Sequence, residues 1–188
     1  MLPPPGPIHL KSAVAALQAG GVIACPTEAV WGLSCDPFDH HAVARLLHLK
    51  DRPVEKGLIL VAAHQSQLDF LLQPLGAEQR QAMADTWPGP VTWLVPHGGR
   101  VPAWVCGEHA TVAVRVSAHP VVRALCAACN GPLVSTSANP GGALPARHLF
   151  QVRRYFGREL DYVLPGALGG TGRPSTIRDL ASGAVIRA

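Results

Sequence analysis

Short apolar runs of strand length alternate along this chain with stretches of helical period, and Gly and Pro punctuate them. That alternation is the strongest constraint on what the chain can fold into. Helices and strands that take turns pack as layers, so the expectation is an α/β fold with a mixed, open sheet and flanking helices. The 19 Gly and 18 Pro among 188 residues are high for a helical bundle and imply many tight connections. No internal repeat, low-complexity block or convincing linker interrupts the pattern. The expectation is one domain over residues 8–188, after a Pro-rich lead-in at residues 1–7.

The clearest strand is Thr111-Val112-Ala113-Val114-Arg115-Val116, which alternates with period two. Val112, Val114 and Val116 share one face; Thr111, Ala113 and Arg115 share the other. Further strands are expected at 22–25, 58–62, 91–95, 132–137, 176–180 and 184–187. Helices are expected at 8–19, where Leu10, Ala13, Val14 and Leu17 recur at helical spacing before Gly20-Gly21, and from an Asp39 cap to about Lys50. Further helical stretches fall at 65–72, 77–84, 119–129 and 147–156. Residues 27–33 read as a loop.

Hydrophobic residues make up 48% and charged residues 15%, which excludes a disordered polyelectrolyte. A net charge of +4 suits an anionic partner such as a nucleotide or RNA, and suits an ordinary soluble surface as well. No apolar run reaches transmembrane length and no signal peptide is visible. The five cysteines then read as reduced thiols in a cytoplasm, with no membrane partner. Cys126 and Cys129 match C-x-x-C without a second pair, and they read as core residues of a helix. No metal-ligand pattern is found among the nine histidines.

Neither a G-x-x-x-x-G-K-[ST] phosphate loop nor a G-x-G-x-x-G turn is present. Other residues carry the candidate chemistry. In extended geometry Lys50 and Arg52 would point to one side and could clamp a polyphosphate, with Lys56 near enough to add a third cation. A lysine at a helix C-terminus beside a solvated arginine is the alternative. Arg115 sits in an apolar strand, so it either pairs with a buried carboxylate or faces a ligand cavity. Thr111 shares its face. An amino-acid carboxylate would suit Arg115. Ser135, Ser137 and Asn139 lie at the end of a strand before Pro140-Gly141-Gly142, which suits phosphate and ribose, or a plain polar turn. Ser175, after Gly169-Gly170-Thr171-Gly172, opens another short polar strand.

These pieces resemble, in order, the motifs of the YrdC/TsaC family. Pro26-Thr27-Glu28-Ala29-Val30-Trp31-Gly32-Leu33 resembles its P-T-E-[TA]-V-[YFW]-G-[LV] opening. Lys50-x-Arg52 and Ser137-x-Asn139 match its K-x-R and S-x-N signature. Trp87 to Thr92, Ala113 to Val116, Pro132 to Asn139 and Pro174 to Ile177 also fall in family order. The resemblance covers the chain from about Ile8 onward. It departs at Ala29, where many relatives have a second Thr, and at Val61, where they often have His.

The resemblance implies a YrdC-like twisted sheet around a large basic cavity. It implies synthesis of threonylcarbamoyl-AMP from L-threonine, bicarbonate and ATP, with Mg²⁺ on the phosphates. It implies ATP contacts at Lys50, Arg52, Thr111, Ser137 and Asn139, with Lys50 and Arg52 catalytic; Lys56 joins the expected ATP contacts by its nearness in the chain. It implies threonine contacts at Thr27, Arg115, Ser135 and Ser175. Partner proteins would then transfer the threonylcarbamoyl group to adenosine 37 of tRNAs reading ANN codons. The rival class is a non-catalytic RNA-binding or tRNA-maturation factor; direct RNA binding is open under both readings.

Overall fold

The computed structural model describes residues 3–170, 172 and 175–187. Its helices are α1 (Pro7–Gln18), α2 (His40–Leu49), α3 (Asp69–Leu72), α4 (Ala77–Ala84), α5 (Ala103–Cys106), α6 (Pro120–Ala128) and α7 (Leu149–Phe156). Its strands are β1 (Ile23–Pro26), β2 (Trp31–Ser34), β3 (Ile59–Ala62), β4 (Val91–Pro96), β5 (Thr111–Val116), β6 (Leu133–Ser137), β7 (Tyr162–Val163), β8 (Thr176–Asp179) and β9 (Val185–Arg187). Among the described residues they form one open sheet in the order β7-β1-β2-β6-β3-β5-β4-β8-β9. The pairs β1/β7, β3/β5 and β4/β8 are parallel and the others antiparallel, so the sheet is mixed, as the alternation implied.

Two apolar layers cover the sheet. On one face, Ala13 and Leu17 of α1 and Val121, Val122, Leu125 and Cys126 of α6 pack on Ile23, Cys25, Val61 and Leu133. On the other, Val43, Leu46 and Leu47 of α2, Met83 of α4, Val105 of α5 and Phe156 of α7 join the cluster holding Leu33, Leu60, Val114 and Val134. Each such fully buried aliphatic side chain stabilises the fold by about 1.5–3 kcal/mol. The first layer is incomplete. Side chains alternate along a strand, so Ile59 and Ser135 lie on the same face as Val61 and Leu133 but two residues further along. Ile59 packs on the edge of that layer, and a cavity lined by Ile59 and Ser135 opens beside it.

Most elements start within a residue or two of the sequence expectation. Helix α1 begins at Pro7, whose missing N–H costs nothing in a first turn. Asp39 caps α2, its side chain accepting from His41 N and Ala42 N. Residues 65–72 are a 3-10 turn followed by the short α3. The loop expected at 27–33 is in its second half the strand β2, which hairpins back on β1 with Cys25 opposite Gly32. Thr27 closes that hairpin by donating its N–H and its hydroxyl to Val30 O, at 3.1 and 2.7 Å. Gly32 fits closely there: an added Cβ would stand 3.0 Å from the Thr27 methyl and 3.3 Å from Thr136 O, so those neighbours would have to give way. Polar and small residues hid the strand because its facing neighbours, rather than its own propensity, hold it.

All five cysteines are free, and burial pushes the Cys25 thiol up to about 12. Among the described residues no helix is long and apolar enough to cross a membrane.

Candidate active site

Arg115 is 8% exposed on the cavity side of β5. Both readings offered for it hold together. It pairs with Glu28, its Nη2 lying 3.2 Å from Glu28 Oε2, and it lines the cavity. Glu28 is itself 8% exposed and accepts the Ser117 hydroxyl at 2.6 Å. Burial would push its carboxyl up, but the Arg115 guanidinium and Ser117 hydroxyl outweigh that and hold it below the usual range. His119 donates its N–H to Ser117 Oγ at 3.1 Å and places its ring 3.1 Å from Ala167 O. Burial lowers the His119 pKa.

The Lys50-Asp51-Arg52 step is not extended, contrary to the sequence expectation. Helix α2 ends in a Schellman cap there: Asp51 N donates to His48 O and Arg52 N to Leu47 O, both at 3.0 Å. Asp51 takes the left-handed conformation, φ 47°, which this cap demands. The turn sends the two cations apart. Lys50 points inward, 5% exposed, and its Nζ donates to Ser137 O and, at 2.8 Å, to Asn139 O. Burial, reinforced by the like charge of Arg52, pushes its ammonium down to about 8. Arg52 turns to the cavity wall, steadied by Gly57 O at 2.8 Å. Pro53 follows in an extended conformation, φ −59° and ψ 137°.

Strand β6 delivers Ser135 and Ser137 to the same wall. The Ser137 hydroxyl donates to Asn139 Oδ1 at 2.6 Å, and Asn139 Nδ2 donates to Pro140 O and Ala143 O. Thr27 and Ser175 complete the lining, with Thr92 Oγ1 donating to Ser175 Oγ at 2.9 Å. This cavity has a volume of about 300 Å³. A neighbouring one of about 260 Å³ takes Thr111 and Lys56 and shares Arg52, Leu58, Ile59 and Arg187 with the first. Thr27, Arg52, Arg115, Ser135, Ser137 and Ser175 therefore converge on one space, and Thr111 and Lys56 on the next. Lys50 and Asn139 lie behind the wall. Pro174 and Thr171, singled out in the sequence, lie outside the described residues.

The sequence did not point to Glu28 as the partner of Arg115, nor to Arg187. Arg187 sits on the edge strand β9 and its Nη2 donates to Ser175 O at 2.9 Å. It borders both cavities. Only the pairing of β9 with β8 places it there, with Ile177 opposite Arg187, so no local signal existed.

Fold and cavity together define the class: a mixed-sheet α/β protein whose arginine-bearing cavity suits a small anionic ligand. Residues 15–188 match the model of the Sua5_yciO_yrdC family, described as telomere recombination, and the chain belongs to that family. It is 57% identical to a threonylcarbamoyl-AMP synthase of Stutzerimonas stutzeri (strain A1501), covering 97% of this chain and 98% of that one. It is 61% identical to a threonylcarbamoyl-AMP synthase of Pseudomonas paraeruginosa (strain DSM 24068 / PA7), over 94% and 95% of the two chains. The crystal structure of P. abyssi Sua5 complexed with L-threonine matches with TM-score 0.86 and 30% identity. That match covers 94% of this chain and 52% of Sua5, so the chain spans about half the length of that relative.

Proposed function

We propose that this protein is an enzyme that makes threonylcarbamoyl-AMP from L-threonine, bicarbonate and ATP, releasing pyrophosphate, for N6-threonylcarbamoyladenosine formation at position 37 of tRNAs. The observation that carries the reading is the convergence of Arg52, Arg115 and Arg187 on one hydroxyl-lined cavity, cations enough for two anionic groups. Near-full-length relatives of that name, and a Sua5 structure complexed with L-threonine, support it.

The threonine amine condenses with bicarbonate to the N-carboxylate, losing water. A carbamate oxygen then attacks the α-phosphorus of ATP; a P–O bond forms and the bond to the pyrophosphate oxygen breaks. Such a transfer needs alignment and charge compensation above all. Arg115 takes the threonine carboxylate, its guanidinium already oriented by Glu28. Thr27, Ser135 and Ser175 offer hydroxyls to the amino acid. Arg52, with Lys56 and Thr111 beyond it, faces the triphosphate, and the Ser137 hydroxyl fixes the nucleotide.

No cluster of three or more His, Cys, Asp or Glu side chains among the described residues could hold a metal ion. Glu28, the acidic residue of the cavity, is engaged by Arg115 and Ser117. That donor set fits an Mg²⁺ ion that enters on the phosphates as part of its substrate, held by phosphate and water oxygens. The product passes to tRNA-modification partner proteins in the cytoplasm.

The test is pyrophosphate release from ATP with Mg²⁺ and bicarbonate, with and without L-threonine. Release that depends on threonine and falls on the order of 100-fold in Arg52→Ala is expected. Release indifferent to threonine would sink the reading.

A further inference from the structure

Lys50 is the conspicuous charged residue that the cavity does not use. It is 5% exposed and absent from the walls of both cavities. Its ammonium is spent on two carbonyls of the β6 terminus, those of Ser137 and Asn139. The main chain repeats the attachment: Gly141 N donates to Lys50 O at 2.7 Å. The contact is close enough that a Cβ on Gly141 would stand 3.1 Å from Asp51 O. From the other side, Ala138 N donates to Trp31 O at 2.7 Å. The segment 137–141 is thus held between the capped end of α2 and strand β2. Its one side chain on the cavity wall is Ser137, whose hydroxyl is oriented by Asn139.

We infer that Lys50 is a positioning residue: it acts on the nucleotide through the backbone of the Ser137–Asn139 segment, and its ammonium does not sit on the phosphates. This rests on the reading that the cavity binds ATP. An ammonium carries three donors and no acceptor, so two converging carbonyls use most of its capacity. Removing it leaves the half-buried Asn139 carbonyl without this donor and the Ser137 carbonyl with the Asn139 N–H alone, at 3.0 Å, and the segment must move to find others. That movement displaces the Ser137 hydroxyl, which meets the part of the nucleotide common to ATP and AMP. A lysine bound directly to the triphosphate would instead distinguish the two ligands by their charge.

Calorimetric affinities for ATP and AMP, in wild type and Lys50→Met, separate the cases. The expected result is a loss by the same factor for both nucleotides, on the order of 10-fold, with L-threonine affinity unchanged. A loss at least tenfold larger for ATP than for AMP would overturn the inference, because the ammonium would then be reading the β- and γ-phosphates. A folded variant that binds both nucleotides as wild type does would overturn it too.

If Lys50→Met does not fold, the wild-type protein supplies the answer. Its three lysines, Lys11, Lys50 and Lys56, are few enough to follow by labelled side-chain carbon resonances. The titration midpoint of Lys50 is expected to move equally with saturating AMP and with saturating ATP; a rise with ATP alone would overturn the inference. Wild-type protein that binds neither nucleotide would bring down the functional reading itself, a failure visible before any variant is made.

Discussion

Arg115 and Lys50 are both cations sunk in the interior, 8% and 5% exposed, yet the protein holds them by different means. Arg115 faces the carboxylate of Glu28, and that pair is knitted to Ser117 and through it to the backbone of His119. Among the described residues Lys50 bonds to carbonyl oxygens alone, and the charge that bears on it is the like charge of Arg52. The consequence shows in protonation. The paired carboxyl of Glu28 is held low despite its burial, whereas the unpaired ammonium is pushed down to about 8. A buried charge with a counter-charge is fixed in its ionised form; one with dipoles alone loses its proton at a lower pH than a free lysine does. The first arrangement suits a ligand carboxylate that must meet a permanent cation. The second suits a fastening.

The largest effect expected from this contrast follows from breaking the ion pair. Arg115→Met leaves Glu28 buried without its cation, and the loss of unfolding free energy should be about 3–5 kcal/mol. The double variant Arg115→Met/Glu28→Met removes both charges and should recover most of it. Urea unfolding of the two proteins and the wild type decides the matter. A double variant no more stable than the single one would mean that Glu28 owes its state to Ser117 and other neighbours rather than to Arg115.

Lys50 predicts a smaller and pH-dependent effect. Its folded pKa, about 8, lies below the value of about 10.4 for a free lysine. The unfolded chain therefore binds more protons between those two values, and stability rises with pH across that window. Below about pH 8 the penalty of burying the charge is fully present; above about 10.4 it has vanished. The slope is at most about 1.4 kcal/mol per pH unit. Other groups titrate in the same range, so the readout is the difference between wild type and Lys50→Met at each pH. A difference that stays flat from pH 7.5 to 10.5 would show that the two carbonyls compensate the ammonium as fully as Glu28 serves Arg115.

This contrast also marks how far the sequence carries. The alternating strand at Thr111–Val116 announced both itself and the anomaly of Arg115, because a period-two pattern says which side every residue faces. The α/β class and the ordered family motifs were legible for the same reason: they are patterns in neighbouring residues. Glu28 as the counter-charge was not legible, since it reaches Arg115 from a hairpin 87 residues away, and several acidic residues were equally available in the sequence. The extended geometry assumed for Lys50 and Arg52 was not met, because a helix cap stands there. Nothing local said that Asp51 would adopt a left-handed conformation, a role usually taken by Gly. At the end of α1 the same cap uses Gly20, with φ 78°, and there the stop was plain from the sequence. Strand β2 and Arg187 needed the completed sheet.

The smallest effect expected is the one that isolates the fastening from the helix that carries it. Asp39 caps α2 at the end opposite Lys50, with its side chain on His41 N at 2.9 Å and Ala42 N at 3.1 Å. Asp39→Ala leaves those donors to water and should cost about 1 kcal/mol of stability. Fraying falls off within the first turn, and α2 is 10 residues long, so the Schellman cap and the Lys50 clasp at its far end should be untouched. Asp39→Ala is therefore expected to lower the unfolding midpoint while binding AMP and ATP as wild type does. If it weakens both nucleotides as Lys50→Met does, then destabilising α2 anywhere disturbs the Ser137–Asn139 segment. The two carbonyl bonds would lose their special standing, and the difference between the two buried cations would reduce to where each helix or strand happens to end.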